Sequence, residues 1–356
     1  MAKTFELIVI NRTSGKAYDL IDIAQEVRYV TDLNSQPGKL IFTLLNNTVN
    51  IERGDMIVFK EFRALTNNVF KGYAVNVRDN GHGITSVYAY DQLWYFKNQD
   101  AFFFGRSTAS KIFAHICQRK GITHEIRAAT KRQIDSKLYD GETYWAIIQD
   151  AIEQSEHPAS GRKNKDRFFV YDEFGTVIFS RTANRRKNVV LSEDSLLMDY
   201  DYTRSIEGSA NQVLVTQEPE GASGEPTRDH LIRHVESDPE NIKKWGLLQV
   251  VVKADSGDNR AQMQELGQTT LQDLNQEERT LTCECLGVAK VIAGTQVYVD
   301  IKDRGLKQWA TVESAEHLYA PYWHRAHFDK SQPNFEGIDM VLGSHASAKM
   351  SLTLLL

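Results

Sequence analysis

The sequence predicts a mainly β protein with an α+β insert: two β-barrel domains with a small α/β unit between them. Three observations lead there. The first hundred residues hold many short apolar-alternating segments bounded by turn residues, with no helix between them, as in a barrel or sandwich. After Tyr95 the spacing becomes helical. Near the end of the chain a segment echoes one near the start: Gly54-Asp55-Met56-Ile57-Val58-Phe59 matches Gly294-Thr295-Gln296-Val297-Tyr298-Val299. In each, a Gly turn feeds a strand with apolar residues at alternate positions, and a polar stretch and another strand follow. The echo suggests a duplicated barrel; two unrelated hairpins would give the same pattern.

In chain order, Phe5, Leu7 and Val9 alternate with Glu6, Ile8 and Ile10 before a polar stretch with Gly15 at a hairpin turn. Leu40–Leu45, Met56–Phe59, Val69–Val77 and Thr85–Tyr90 are further strands. Asn46-Asn47, Arg53-Gly54-Asp55 and Asp79-Asn80-Gly81 supply turns that tolerate positive φ. Thr108 is placed to cap a helix with Ala109, Ile112, Phe113 and Ile116 on one face, stopped by Gly121. A second helix runs from about Glu142 to Gln154, and a hairpin follows around Asp172-Glu173-Phe174-Gly175. Strands resume at Val189, with Leu196–Ile206, Gln212–Val215 and Gly246–Lys253 among them. Glu218–Asp229 is an exposed loop, and Asn259–Asn275 has helical spacing. Arg279–Leu286, Gln296–Ile301, Lys307–Glu316 and Lys349–Leu355 close the chain. The predicted domains are a first barrel over 1–98, an α/β unit over 99–184, and a second barrel over 185–356 that includes the helix 259–275.

Composition narrows the function. Of 356 residues, 41% are hydrophobic, which is ordinary for a soluble chain with a sizeable core. The net charge of −5 gives no overall field for nucleic acid. The basic runs Arg162–Lys165 and Arg185–Lys187 read as solvated loops. Three cysteines, Cys117, Cys283 and Cys285, argue against a disulfide scaffold. No apolar run has the length of a signal peptide or a membrane span. The expected place of synthesis is the cytoplasm.

Candidate chemistry is thin. His317, His324 and His327 cluster near Trp323, and three imidazoles can bind zinc, but the helical His-Glu-x-x-His arrangement is absent. They read as surface or interface histidines. Cys283 and Cys285 lack a second pair and read as small buried hydrophobes. The acidic pairs Asp172-Glu173, Glu193-Asp194 and Asp199 with Asp201 show no sign of facing each other across a cleft, as glycoside hydrolysis needs. Ser14-Gly15-Lys16 lacks the spacing of a phosphate loop, and there is no Gly-x-Ser-x-Gly elbow. The expectation is no catalytic, cofactor-binding or metal residue, and no cofactor.

Several stretches resemble a known family in order along nearly the whole chain. They are Gly54–Phe59 with Val69–Val75, Tyr90-Asp91-Gln92-Leu93-Trp94-Tyr95-Phe96-Lys97-Asn98, Thr108–Ile112, Ser205–Val215, Trp245–Gln249, the Asn259–Asn275 helix, Leu286-Gly287, Ser314–His317 and Lys349–Leu354. These resemble the central hub proteins of contractile phage tails and tail-like bacteriocins, of the XkdQ/YqbQ-like kind. That family is related in architecture to the myophage hub and the base of type VI secretion spikes. The resemblance implies two tail-tube-like barrels per chain and a homotrimeric ring that joins the tail tube to the central spike. Further partners would be other baseplate components, with assembly in the host cytoplasm. The chain departs from the pattern at Tyr319–Ser347, a long connection that suggests a particle-specific contact. Two other readings compete. A tail-associated peptidoglycan hydrolase would need a further catalytic module. A cell-surface carbohydrate-binding module would use some of the five Trp and fourteen Tyr.

Overall fold

The computed structural model describes residues 5–33, 36–45, 49–62, 68–155, 167–217, 232–254, 257–319 and 347–356. The chain divides into two units. One comprises Met1–Ser155, Phe168–Asp201 and Leu281–Leu356; the other comprises Glu156–Arg167 and Tyr202–Thr280. Arg162–Lys165, Glu218–Asp229, His324, His327 and most of the Tyr319–Ser347 connection lie outside the described residues.

The first half supplies β1 (Phe5–Ile10), β2 (Ala17–Asp19), β3 (Ala24–Asp32), β4 (Gln36–Leu44), β5 (Met56–Glu61), β6 (Asn68–Asp79) and β7 (Thr85–Tyr90). All their pairings with one another are antiparallel, in the order β3-β4-β7-β6-β5-β1-β2. Alternation puts Leu7, Val27, Leu40, Phe42, Ile57, Phe59, Phe70 and Val87 on one buried face. Tyr319, carried by a strand that pairs with β3, meets Phe5 of β1 with ring centroids 5.7 Å apart. The two ends of the sheet thus share a core, so the sheet is curled around its apolar face.

The α/β unit follows with β8 (Gln99–Phe104), α1 (Ala109–Lys120), β9 (His124–Ile126), β10 (Lys137–Thr143), α2 (Tyr144–Ser155), β11 (Phe168–Glu173) and β12 (Thr176–Arg181). Phe113 and Ile116 of α1, Ile147 and Ile148 of α2, and Val177 and Phe179 of β12 fill one core. Gly121 ends α1 in the left-handed conformation, as predicted. Thr108 precedes α1, but its hydroxyl does not cap the backbone. Thr130 does so from outside the helix, accepting from the Ser110 N–H at 3.1 Å, while the Ser110 hydroxyl accepts from the Thr130 N–H at 3.2 Å. The β11–β12 hairpin turns through Phe174 and Gly175, both at positive φ, the two-residue geometry that matches strand twist.

The rest of the chain adds β13 (Arg186–Ser192), β14 (Leu197–Ser205), β15 (Gln212–Gln217), β16 (Ile232–Ser237), α3 (Pro239–Trp245), β17 (Gln249–Lys253), α4 (Arg260–Leu274), β18 (Glu278–Gly287), β19 (Gln296–Ile301), β20 (Leu306–Tyr319) and β21 (Ser347–Leu355). Six of these form a second run of pairings, β13-β19-β20-β21-β18-β14. Numbered by chain order within each half, both runs read 1-4-5-6-3-2, with β2 as an extra strand at the end of the first.

The match extends to single residues. Gly54 donates to the Ala74 carbonyl at 2.7 Å, and Ala74 donates to the Asp55 carbonyl at 2.9 Å. Gly294 donates to Val312 and Val312 to Thr295, both at 2.8 Å. Both glycines have positive φ, 94° and 77°. Ile57 and Phe59 are buried on β5 as Val297 and Val299 are on β19. A register shift falls between Ala74 and Asn76 where β6 meets β7. The corresponding shift falls between Val312 and Ser314 where β20 meets β21. β20 is common to both halves: its first part pairs β19 and its last part pairs β3.

Residues 202–280 differ from the expectation of a single barrel over 185–356. β15 pairs β16 and β17 in a separate three-stranded sheet. The apolar face of α4, with Met263, Leu266 and Leu271, is covered by Val213, Val215, Val250 and Val252 of that sheet. The helix 259–275 was read correctly and carries a capping box between Asn259 and Gln262. Its partners are these strands and not those of the second run, so Tyr202–Thr280 packs as its own unit.

Candidate functional site

Ionisable groups converge where β11 meets β3, β4 and the turn before β19. Alternation along β11 sends Phe169 and Tyr171 to Leu33 and Ala293, and Val170 to the opposite core. Asp91 begins the 3-10 turn Gln92–Lys97 and accepts from the Leu93 N–H at 2.9 Å. Its second oxygen accepts from the Gly38 N–H at 2.7 Å. A Cβ at position 38 would press on that carboxylate and force it to shift. Asp172 accepts from the Gly175 N–H at 2.9 Å, and the Gln92 backbone N–H also faces its carboxylate. Arg185 lies over the Tyr171 ring at 3.8 Å and donates to the Ala293 carbonyl at 3.2 Å.

Burial dominates the electrostatics here. It raises Asp91 well above the usual carboxylate range, and the Asp172 charge adds to this. Burial likewise pushes Asp172 up to about 7. Tyr29 is raised by burial and then by both aspartates, and Arg185 is lowered by burial. Two carboxyls pushed toward neutrality are what an acid–base site would need. Room for a substrate is missing: the cavity they line, with Tyr29, Thr31, Asp32 and Tyr171, has a volume of about 20 Å³. That is space for a single water molecule. The cluster can hold protons and fix a joint; it cannot admit a sugar.

The residues flagged in the sequence fall elsewhere. His317 is fully buried, with Nε2 2.7 Å from the Val291 carbonyl and its ring stacked on Tyr319, so it is a core residue and not a surface one. Among the described residues no group of three or more His, Cys, Asp or Glu is arranged to hold a metal. Cys283 and Cys285 are buried thiols on one face of β18. Glu173 pairs with Arg127, while Glu193 and Asp194 lie beside Lys302. Asp199 and Asp201 are exposed. Arg185 overturns the solvated-loop reading of its run: successive residues alternate, and one of the three faces inward. The Asp91–Asp172 cluster was missed because its members stand far apart in sequence. The N-cap pattern of Asp91 was legible; its burial was not.

Two groups of aromatic and apolar side chains lie at the surface. On the first sheet Tyr90 stacks on Trp94 at 4.5 Å with the Lys97 ammonium 3.7 Å above the indole. Tyr73 meets Tyr95 beside Arg12, and Lys39 covers Tyr88. Half-exposed Trp, Tyr and Arg are residue types enriched in protein interfaces. On the α/β unit, Phe103 and Leu138 pair across β8 and β10 and stay 71% and 65% exposed.

The chain matches the YQBQ-like family over residues 27–329. It is 23% identical over 288 residues to the phage-like element PBSX protein XkdQ of Bacillus subtilis (strain 168), covering 80% of this chain and 83% of that protein. In fold it is similar to the 43 kDa tail protein of prophage MuSo2 from Shewanella oneidensis. The TM-score is 0.65 at 11% identity, over 99% of this chain and 98% of that one. It is also similar to the E. coli c3393 protein, a type VI secretion component with structural similarity to bacteriophage T4 tail proteins. There the TM-score is 0.52 at 9% identity, over 93% of this chain and 73% of that one. A mainly β chain with this repeated strand order has the fold of phage tail proteins, and it belongs to the YQBQ-like family.

Proposed function

We propose that the chain is the central hub of a contractile-tail baseplate, a homotrimeric ring that joins the tail tube to the central spike and acts mechanically, without catalysis. The observation that carries this is the shared strand order of the two halves, matched down to the Gly54 and Gly294 turns and the register shifts at Ala74 and Val312. Two like runs of strands per chain and three chains per ring give six like runs around one axis. Such a ring meets a sixfold tube on one face and a threefold spike on the other. The tail-protein fold and the kinship with XkdQ support the assignment to a tail-like particle assembled in the host cytoplasm. Other baseplate components would dock on the α/β unit, where Phe103 and Leu138 stand open.

Native mass spectrometry of the purified protein, alone and with its tube and spike partners, tests the ring. The expected species has three times the 40.5 kDa chain mass. A monomer throughout, with partners present, would sink the proposal.

A further inference from the structure

The two runs of strands end differently. In the first, β1 pairs β5 in unbroken antiparallel register from Phe5 opposite Glu61 to Ile10 opposite Met56. The outer edge of β1 is then covered by β2. At the matching end of the second, β13 has β19 as its one partner among the described strands. Among the described residues, the place that β2 fills in the first run has no counterpart there. A strand with an uncovered edge presents main-chain N–H and C=O groups ready to pair.

That edge also carries charge. The β13–β19 pairing is parallel and slips between Arg186 and Val190, so Lys187, Asn188 and Val189 together stand opposite Val297. A bulge of this kind bends the strand and re-aims its side chains. Lys187 is half-buried, and after desolvation the charges of Arg185, Lys290 and Arg127 act on it, opposed by Glu173. Arg127 is engaged with Glu125, Glu173 and the Tyr171 hydroxyl, and Arg185 with Tyr171 and Ala293. Among the described residues, no ion pair engages Lys187 or Lys290. Val190 adds an apolar surface, 43% exposed.

We propose that the outer edge of β13 takes an extended acidic segment of a partner protein as an added strand, with a carboxylate of that segment seated on Lys187 and Lys290. The internal repeat shows what belongs at this position: β2 fills it in the first run with a three-residue strand ending in Asp19. A strand edge offers backbone groups spaced for another backbone, and side chains of the added strand then supply selectivity. Two cations with no ion pair among the described residues suit one carboxylate; a nucleic acid would require a longer basic track. The inference stands apart from the hub reading, because it concerns one edge of one chain whatever the ring.

The probe is a blocked hexapeptide of alternating Glu and Val, titrated into the full-length protein with amide hydrogen exchange as readout. The expected result is slowed exchange at Lys187, Asn188 and Val190. Affinity should fall by about tenfold or more in the K187E/K290E variant. K187Q/K290Q, the milder change, should lose part of it while keeping the parent melting curve. Three results would overturn the proposal. One is no protection at saturating peptide, and another is equal binding of an alternating Lys and Val peptide. The third is protection that rises with protein concentration alone, which would make the occupant a second copy of the chain. A failed trimer measurement would leave these outcomes unchanged, so the two ideas fail separately.

Discussion

The first and second runs of strands share an order, a glycine turn and a register shift, and they differ in how their cores and ends are finished. Position 61 on β5 is a buried glutamate, whereas the matching place on β19 is Ile301. Burial and then the Glu61 charge push the Tyr319 hydroxyl well up. The terminal strand is antiparallel and covered in one run, parallel and bulged in the other. A repeated scaffold with unlike edges is what a protein needs if its halves are to sit alike in one assembly yet meet different neighbours. The difference also separates residues that hold the scaffold from residues that specialise it, and substitutions at matched positions can tell them apart.

The largest effect is expected at Tyr319. It is contributed by the shared strand β20, yet it fills the first core against Phe5 and Phe59. Y319A should cost about 3–5 kcal/mol in equilibrium unfolding. Its hydroxyl is buried with no hydrogen-bond partner among the described residues, so Y319F should gain about 1 kcal/mol. Any deletion of the long connection must therefore spare Tyr319, which closes the first core. The next test sets the paired glycines against each other. At Gly54 an added Cβ meets nothing within 4 Å, and G54A should cost about 1–2 kcal/mol for the left-handed backbone alone. At Gly294 the Cβ would overlap the Phe169 ring, so G294A should cost about 3 kcal/mol or more. Equal losses would mean that the α/β unit does not press on the second run at this turn.

The Gly-turn echo was legible because a positive-φ glycine ahead of an alternating strand leaves a local mark. The strand order was not, since it rests on pairings such as Ser314 with Asp32 that span most of the chain. β3 went unread because its buried positions, Ala24, Val27 and Tyr29, lose strict alternation at a register shift beside Glu26. β8 was hidden by three successive phenylalanines, of which Phe103 faces outward. The helix of residues 260–274 could be read from its own face, but nothing in that face names the sheet that covers it. Asp172 reads as a turn residue, but it lies in β11 and accepts from Gly175 of the turn; its burial comes from groups on other strands.

Protons sharpen the comparison. Asp172 sits at the joint between β11 and the first run, and its pKa is raised from 3.8 to about 7. The folded state therefore holds a proton that the unfolded state has released. That stabilisation is full below about pH 4 and is lost as pH rises through 7. His317, on the shared strand, is lowered by burial from 6.5 to about 4. Its contribution is full above pH 6.5 and is lost as pH falls through 4. The two act in opposite senses over one window. In urea titrations at pH 5 and pH 8, D172N should gain stability relative to the parent as pH rises. An unchanged difference would mean that Asp172 is not buried in the folded protein.

The smallest effect belongs to the ion pairs of Arg28, one of which crosses the same seam as Tyr319. Arg28 of β3 reaches Glu26 on its own strand at 2.7 Å and Glu316 of β20 at 3.2 Å. These side chains are 41–45% exposed, so water and salt weaken the attraction, and ordering two long chains offsets much of what remains. R28A should cost no more than about 0.5 kcal/mol in denaturant unfolding, and less still at high ionic strength. Set beside Y319A, this asks what binds the shared strand to the first core. A loss from R28A approaching that of Y319A, and vanishing in salt, would mean that β20 is held by charge along β3. The packing of Tyr319 against Phe5 and Phe59 would then not be what holds β20 to the first core.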